Sequence, residues 1–223
     1  IDNRSMGGLS LYTDSIHLNL TNPASYSQLR RTNYSLGITY DSTSLKSDLA
    51  NETSTSANVN YLAVGIPTNK FTFGFGILPA TSVGYRLQSV VQGDDINDVI
   101  NRNEGYGGLN QTFFTLGFKL FKFLNFGVSA NYNFGKITNE SSRQEENIDY
   151  GTFFTKSSSL VGFNYRFSTQ LTIPLNDKLN LNAMAYYVPD NTLTSSNESV
   201  FFTQSISTQS LGDFEDVDLA QDG

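Results

Sequence analysis

The sequence predicts an all-β fold, specifically an antiparallel transmembrane β-barrel, and three observations predict it. Apolar and polar residues alternate with a period of two over most of the chain, which places them on opposite faces of strands. Short and long connections between those strands also alternate, the habit of outer-membrane barrels. The third observation is composition. The 223 residues include 17 Phe and 12 Tyr but no Trp or Cys, with only 16% charged residues and a mean hydropathy of −0.28. Abundant aromatics exclude a disordered chain. Sparse charge argues against a soluble enzyme surface. No apolar run reaches the roughly 18 to 20 residues of a membrane-spanning helix.

Residues 1–30 stand apart from the pattern. They hold Gly7 and Gly8, a mixed stretch, and Asn22-Pro23-Ala24, where proline fixes its own φ and turns Asn22 away from helical geometry. A compact, turn-rich segment of this kind reads either as a plug inside a barrel or as an ordinary periplasmic tail. Strand candidates follow at Tyr34 to Tyr40, Asn58 to Ile66, Phe71 to Gln88, Thr112 to Leu120, Leu124 to Gly135, Val161 to Ile173 and Leu179 to Tyr187, and another could begin at Ser199. The cleanest puts Leu124, Phe126, Val128, Ala130, Tyr132 and Phe134 on one face. Asn125, Gly127, Ser129, Asn131, Asn133 and Gly135 occupy the other. Short turns fall at 67–70, 121–123 and 174–178; long polar connections are expected at 41–57, 89–104, 139–151 and 189–198. Within the second of these, Ile96, Val99 and Ile100 behind Asp94-Asp95 have the spacing of a short amphipathic helix with an N-cap. A soluble β-sandwich is the rival fold, but its outer face normally carries Lys and Glu where this chain has Gly, Asn and Ser.

Other function classes find little support. The net charge of −7 carries no basic stripe for nucleic acid. Without Cys there is no disulfide, thiol nucleophile or Cys-ligated metal. His17, the single His, has no partner at metal or triad spacing. Asp94, Asp95 and Asp98 lack the spacing and Gly of a calcium loop. Asp213, Glu215, Asp216 and Asp218 read as a solvated acidic run, and Arg30-Arg31 either pairs with a carboxylate such as Asp14 or stands in water. No catalytic residue, cofactor or metal site is expected, so the chain is read as a non-enzyme.

Ser5-Met6-Gly7-Gly8, Asp14-Ser15-Ile16 and Asn22-Pro23-Ala24-Ser25, with Gly107 to Phe114 and Leu124 to Gly135 behind them, resemble the FadL/TodX family of outer-membrane transporters of hydrophobic compounds, in its Bacteroidota branch. The resemblance implies a barrel of about 14 strands, of which seven or eight are present here, so 31–223 would be the first half of a larger barrel. It implies passive diffusion of long-chain fatty acid-like molecules, with lipid and lipopolysaccharide around the wall. Gly7, Gly8, Asp14, Asn22, Pro23 and Ala24 would form a hatch. Gly74, Gly76 and Pro79 would kink the third strand into a lateral gate, since proline belongs at bulges and edges. Ile96, Val99 and Ile100 would capture ligand, and Phe113, Asn131, Asn133, Asn164 and Arg166 would line the lumen. That lumen is wet for a fatty-acid path. It keeps open a second reading, in which the barrel is a transport-silent subunit of an outer-membrane complex for secretion or barrel assembly.

Overall fold

In a computed structural model the chain forms one antiparallel sheet, described over residues 10–11, 14–46, 51–92, 98–176, 179–205, 207 and 211–217. A short 3-10 helix, η1 (Pro23–Gln28), precedes nine strands: β1 (Asn33–Lys46), β2 (Asn51–Pro67), β3 (Phe71–Gln92), β4 (Asp98–Lys119), β5 (Leu124–Glu145), β6 (Tyr150–Asn176), β7 (Leu179–Tyr187), β8 (Thr194–Ser205) and β9 (Leu211–Val217). Neighbours in sequence are neighbours in the sheet from β1 to β6. Strand β6 then pairs with β7 along its C-terminal part and with β8 along its N-terminal part, and β9 follows β8. The sheet is open, with β1 and β9 as outer members of its path. This is the arrangement of a partial barrel.

The strands are longer than the sequence pattern predicts, which corrects the expected long loops. Residues 41–46 and 51–57 pair with each other from Asp41↔Ser56 to Lys46↔Asn51. β5 runs on to Glu145, and β6 begins at Tyr150. Ser, Thr and Asn there mark exposure to water, which the pattern conflated with absence of structure. Thr is in fact at home in strands. The expected helix at 94–100 is likewise corrected. Val99 and Ile100 lie in β4, and the amide of Glu146 donates to the carbonyl of Asp98 at 2.9 Å, so cross-strand bonding overrides a weak helical spacing. Ile96 lies outside the described residues.

One compact unit comprises residues up to Pro79, Gln111–Tyr132 and Phe163–Asn191. Its faces are inverted relative to a soluble protein. Asn125, Ser129 and Asn131 on β5 are buried, as are Ser168 and Gln170 on β6. Large apolar side chains face outward: Tyr34 is 78% and Ile38 62% exposed on β1, and Phe75 47% exposed on β3. Outward rings also contact across strands, at 5.9 Å for Phe71–Phe118 and 5.5 Å for Phe118–Phe126. A continuous apolar outer band over a polar inner face is the pattern of a bilayer-spanning barrel wall.

The second unit comprises Ala80–Asn110, Asn133–Gly162 and the chain from Thr192. Polar cross-strand bonds are frequent here. Arg86 is bidentate on Glu104 at 2.7 and 3.1 Å, and the Tyr85 hydroxyl donates to Asn139 at 3.0 Å. Tyr85 lies flat over Gly105, where a Cβ would stand 2.2 Å from the ring. Gly107 has φ +115, a conformation reserved for glycine, and its α-carbon is pressed against the Lys136 carbonyl. Asp149 accepts from the Ser205 hydroxyl at 2.6 Å and the Ser207 amide at 3.0 Å, and these bonds hold its carboxyl below the usual range.

Candidate functional site

The most elaborated place in the structure is where the N-terminal segment meets the polar face. Asn22 caps η1: its side chain accepts from the Ala24 amide at 3.1 Å, and Pro23 occupies the first turn, where no amide donor is needed. Pro23, Ala24, Ser25 and Tyr26 are all buried. The strands prepare a floor for them. Leu18 and Leu29 sit on Gly65 of β2, and the Tyr26 ring sits on Gly74 of β3. η1 backbone lies against Gly117 of β4 and Gly127 of β5; a Cβ at Gly127 would fall 2.2 Å from the Pro23 carbonyl carbon. Four consecutive strands thus offer glycine where a helix backbone or ring descends, the use of strand glycine when another backbone approaches closely.

The fifth strand of the floor supplies polar partners instead. The Asn22 side-chain amide donates to Gln170 at 3.1 Å, and the Ala24 amide donates to the Ser168 hydroxyl at 2.7 Å. Gln170 and Ser168 are each 1% exposed, so these bonds are shielded from water. Arg166 donates to the Thr21 carbonyl at 3.3 Å. Asp14 turns the chain ahead of η1, accepting from the Ile16 amide at 3.0 Å and the His17 amide at 2.6 Å, and contacting the His17 ring. Desolvation pushes the Asp14 carboxyl up, but the His17 ring and those two amides together hold it below its ordinary value. Burial pushes the Tyr26 phenol well above its ordinary value, so it is neutral at physiological pH.

The expected hatch residues Asn22, Pro23 and Ala24 therefore form one buried knot. Asp14 belongs to the turn before it, and Gly7 and Gly8 lie outside the described residues. Gly74 and Gly76 are in β3, one under Tyr26 and the other under Phe113 and the Leu62 carbonyl. Pro79 continues β3, and the β2–β3 ladder ends just before it, at Leu62↔Ile77. Of the expected lining residues, Phe113 is buried against Gly76. Asn131 is buried and accepts from Ser129 at 2.9 Å, and Asn133 is also buried. Asn164 and Arg166 are partly buried on β6. Val99 and Ile100 lie in a strand and not on a groove helix, as the fold shows. Arg30 and Arg31 are exposed, and Asp14 engages His17. Sequence reading missed Tyr26, Gly65, Gly117, Gly127, Ser168 and Gln170 as contact residues. The signal was there: glycines on the polar parity of successive strands, with an Asn-Pro-Ala turn ahead of them.

A protein-family model described as BamG matches residues 1–222. No curated protein matches the chain, and no solved structure does. The match is to a different family from FadL/TodX and corrects that resemblance. In the packing, Asn22-Pro23-Ala24 forms a capped helical turn pressed onto strand glycines.

Proposed function

The chain belongs to the BamG family, and from that premise we propose that it is an outer-membrane β-barrel that serves as a subunit of a barrel-assembly complex and carries no hydrophobic cargo. The observation that carries this reading is the filled polar face. Where a conduit for apolar molecules needs an open, greasy path, the described inner face presents Asn, Ser, Thr and Gln bonded to one another and to η1, as in Thr115 to Ser129 at 3.0 Å. Phe113 and Ala63 are its few buried apolar side chains apart from those of the N-terminal segment. The segment acts as a wedge that fills the barrel.

Strand length supports the subunit role. β3, β4 and β5 are each 22 residues and β6 is 27, about twice the roughly 9 to 11 a tilted strand needs to cross a bilayer. The tight connections Pro67–Phe71 and Lys119–Leu124 put the excess at the opposite, extracellular end, where partners can meet it. The role is structural and non-enzymatic, and other outer-membrane proteins are the partners. Affinity purification from native membranes at endogenous levels tests it: stoichiometric outer-membrane barrel partners are expected. A chain recovered alone, that speeds entry of a hydrophobic probe into cells, overturns it.

A further inference from the structure

We propose that the tight-turn rim of the first compact unit, with Arg30, Arg31, Lys70, Lys119 and Lys122, binds the anionic phosphate headgroups of phospholipids in the periplasmic leaflet. This rests on the outer-membrane barrel reading and deepens it by naming the lipid class that its periplasmic end selects. Three places in the unit meet at that rim. β1 starts at Asn33, opposite Gly65 near the end of β2, so Arg30 and Arg31 stand just ahead of it. The Thr68 amide donates to the Phe71 carbonyl at 2.8 Å and closes the β2–β3 turn around Lys70. The amides of Leu120 and Phe121 donate to the Leu124 carbonyl at 3.0 and 3.1 Å and close the β4–β5 turn, which follows Lys119 and contains Lys122. The Phe71 and Phe118 rings, 5.9 Å apart, join the two turns.

All five cations are exposed. Among the described residues the ion pairs are His17–Asp14, Arg86–Glu104 and Arg143–Glu145, so none of the five has a carboxylate. Asp14, whose neighbour Ser15 accepts from the Arg30 amide at 3.1 Å, is turned to His17 instead. Asp177 and Lys178, in the β6–β7 turn, lie outside the described residues. A chain of net charge −7 thus gathers a positive surface at one end. Charge alone would suit any anion. The rings select among them. Lys122 stands between Phe121 and Phe123, whose exposed rings stack at 5.7 Å, and Lys70 adjoins the exposed Phe71. Aromatic and cationic side chains side by side suit a bilayer interface: the ring sits at headgroup level, and the lysine stem lies along apolar surface while its ammonium reaches a phosphate. An acidic protein would have to cover those rings as well as meet the charges; the leaflet already supplies both layers.

The chain has no Trp, so Phe123→Trp places a single emitter on the rim. Phe163→Trp places one about 30 Å along β6 from Thr172, whose amide donates to the Phe123 carbonyl. Each full-chain variant is folded into phosphatidylcholine vesicles carrying increasing shares of brominated phosphatidylglycerol or of brominated phosphatidylcholine. At the rim, half-maximal quenching is expected at a share of the anionic lipid about threefold or more lower, since each cation near such a surface favours it about fivefold. At Phe163→Trp the two lipids are expected to quench alike. Lys119→Gln with Lys122→Gln, or about 0.5 M salt on the parent emitter, is expected to bring the rim ratio towards one. Equal quenching at the rim, an equal preference at Phe163→Trp, or a preference that neither the lysine changes nor salt reduces overturns the proposal. If the lysine variant keeps its lipid preference but loses a co-purifying protein from native membranes, the rim serves that protein and the proposal is wrong. Quenching without preference leaves the barrel reading standing; no quenching by either lipid at either position means that this wall meets no bilayer, and the barrel reading fails first.

Discussion

Gly127→Ala is the substitution that most sharply probes the seating of the N-terminal segment. A Cβ there would lie 2.2 Å from the carbonyl carbon of Pro23, 2.3 Å from the Ala24 nitrogen and 2.4 Å from the Pro23 oxygen. All three are backbone atoms, so no side chain can swing aside, and η1 must lift by about an ångström or more to reach ordinary contact distance. Overpacking of this kind costs about 1–3 kcal/mol. The lift also breaks Asn22–Gln170 and Ala24–Ser168, each worth about 1 kcal/mol net. Together these weaken docking of the segment by roughly 3–5 kcal/mol, or about 10²- to 5 × 10³-fold in its opening equilibrium. Amide hydrogen exchange at Ala24 measures this directly, because that amide is bonded to Ser168 only while the segment is seated, and heat-modifiable mobility confirms that the barrel survives. Gly84→Ala is the matched control: no atom stands within 4 Å of the place its added methyl group would take, so exchange is unchanged. Protection at Ala24 within threefold of the parent in Gly127→Ala would refute the close packing of η1 on β5.

Asn22→Ala removes the cap of η1 and the donor to Gln170, costing about 1–2 kcal/mol of docking; proteolysis between Leu20 and Arg30 should accelerate without loss of the barrel. Phe75→Lys puts a charge on the outward face and destabilises folding into lipid vesicles by about 2–4 kcal/mol at mid-membrane depth, read from denaturant titration; an unaffected midpoint would place that face away from lipid. The Asp149 clamp is pH-dependent with a fixed sign. Its folded carboxyl titrates below the ordinary range, so its contribution is present above the unfolded value and is lost as pH falls through the folded one. The protection of the Ser207 amide, its exchange rate taken relative to the intrinsic rate at each pH, should fall on acidification, and Asp149→Asn should abolish that dependence.

The fold class was legible because a single parity runs through whole strands. On β5 the odd residues Asn125 to Asn133 are the buried ones, as the alternation indicates. Beyond that stretch the parity changes, with Thr138 buried on β5, and Ser157 but then Ser168 and Gln170 on β6. No count of alternating residues contains such a change of parity along one strand. Strand length was illegible for a related reason. Thr43, Ser44 and Thr53 look like loop residues one by one, and only their cross-strand partners make them strand. The N-terminal site was half legible: Asn22-Pro23-Ala24 announced a capped turn, but its partners Gly127 and Gln170 are over a hundred residues away in the chain. The family resemblance misled because it rested on that short motif, which in this fold caps and seats η1, while the family model that matches residues 1–222 is a different one.

The central claim is that this barrel is filled by its own N-terminal segment and works as part of an outer-membrane assembly. It is tested most directly by determining what accompanies the protein when it is extracted from native membranes under gentle conditions and imaged with its partners. The account predicts stoichiometric outer-membrane barrel partners, and density for residues 22–28 seated on Gly74, Gly117 and Gly127 with no ligand beneath. A solitary barrel with that segment displaced and an elongated apolar ligand lying along Asn125, Ser129 and Gln170 would contradict it.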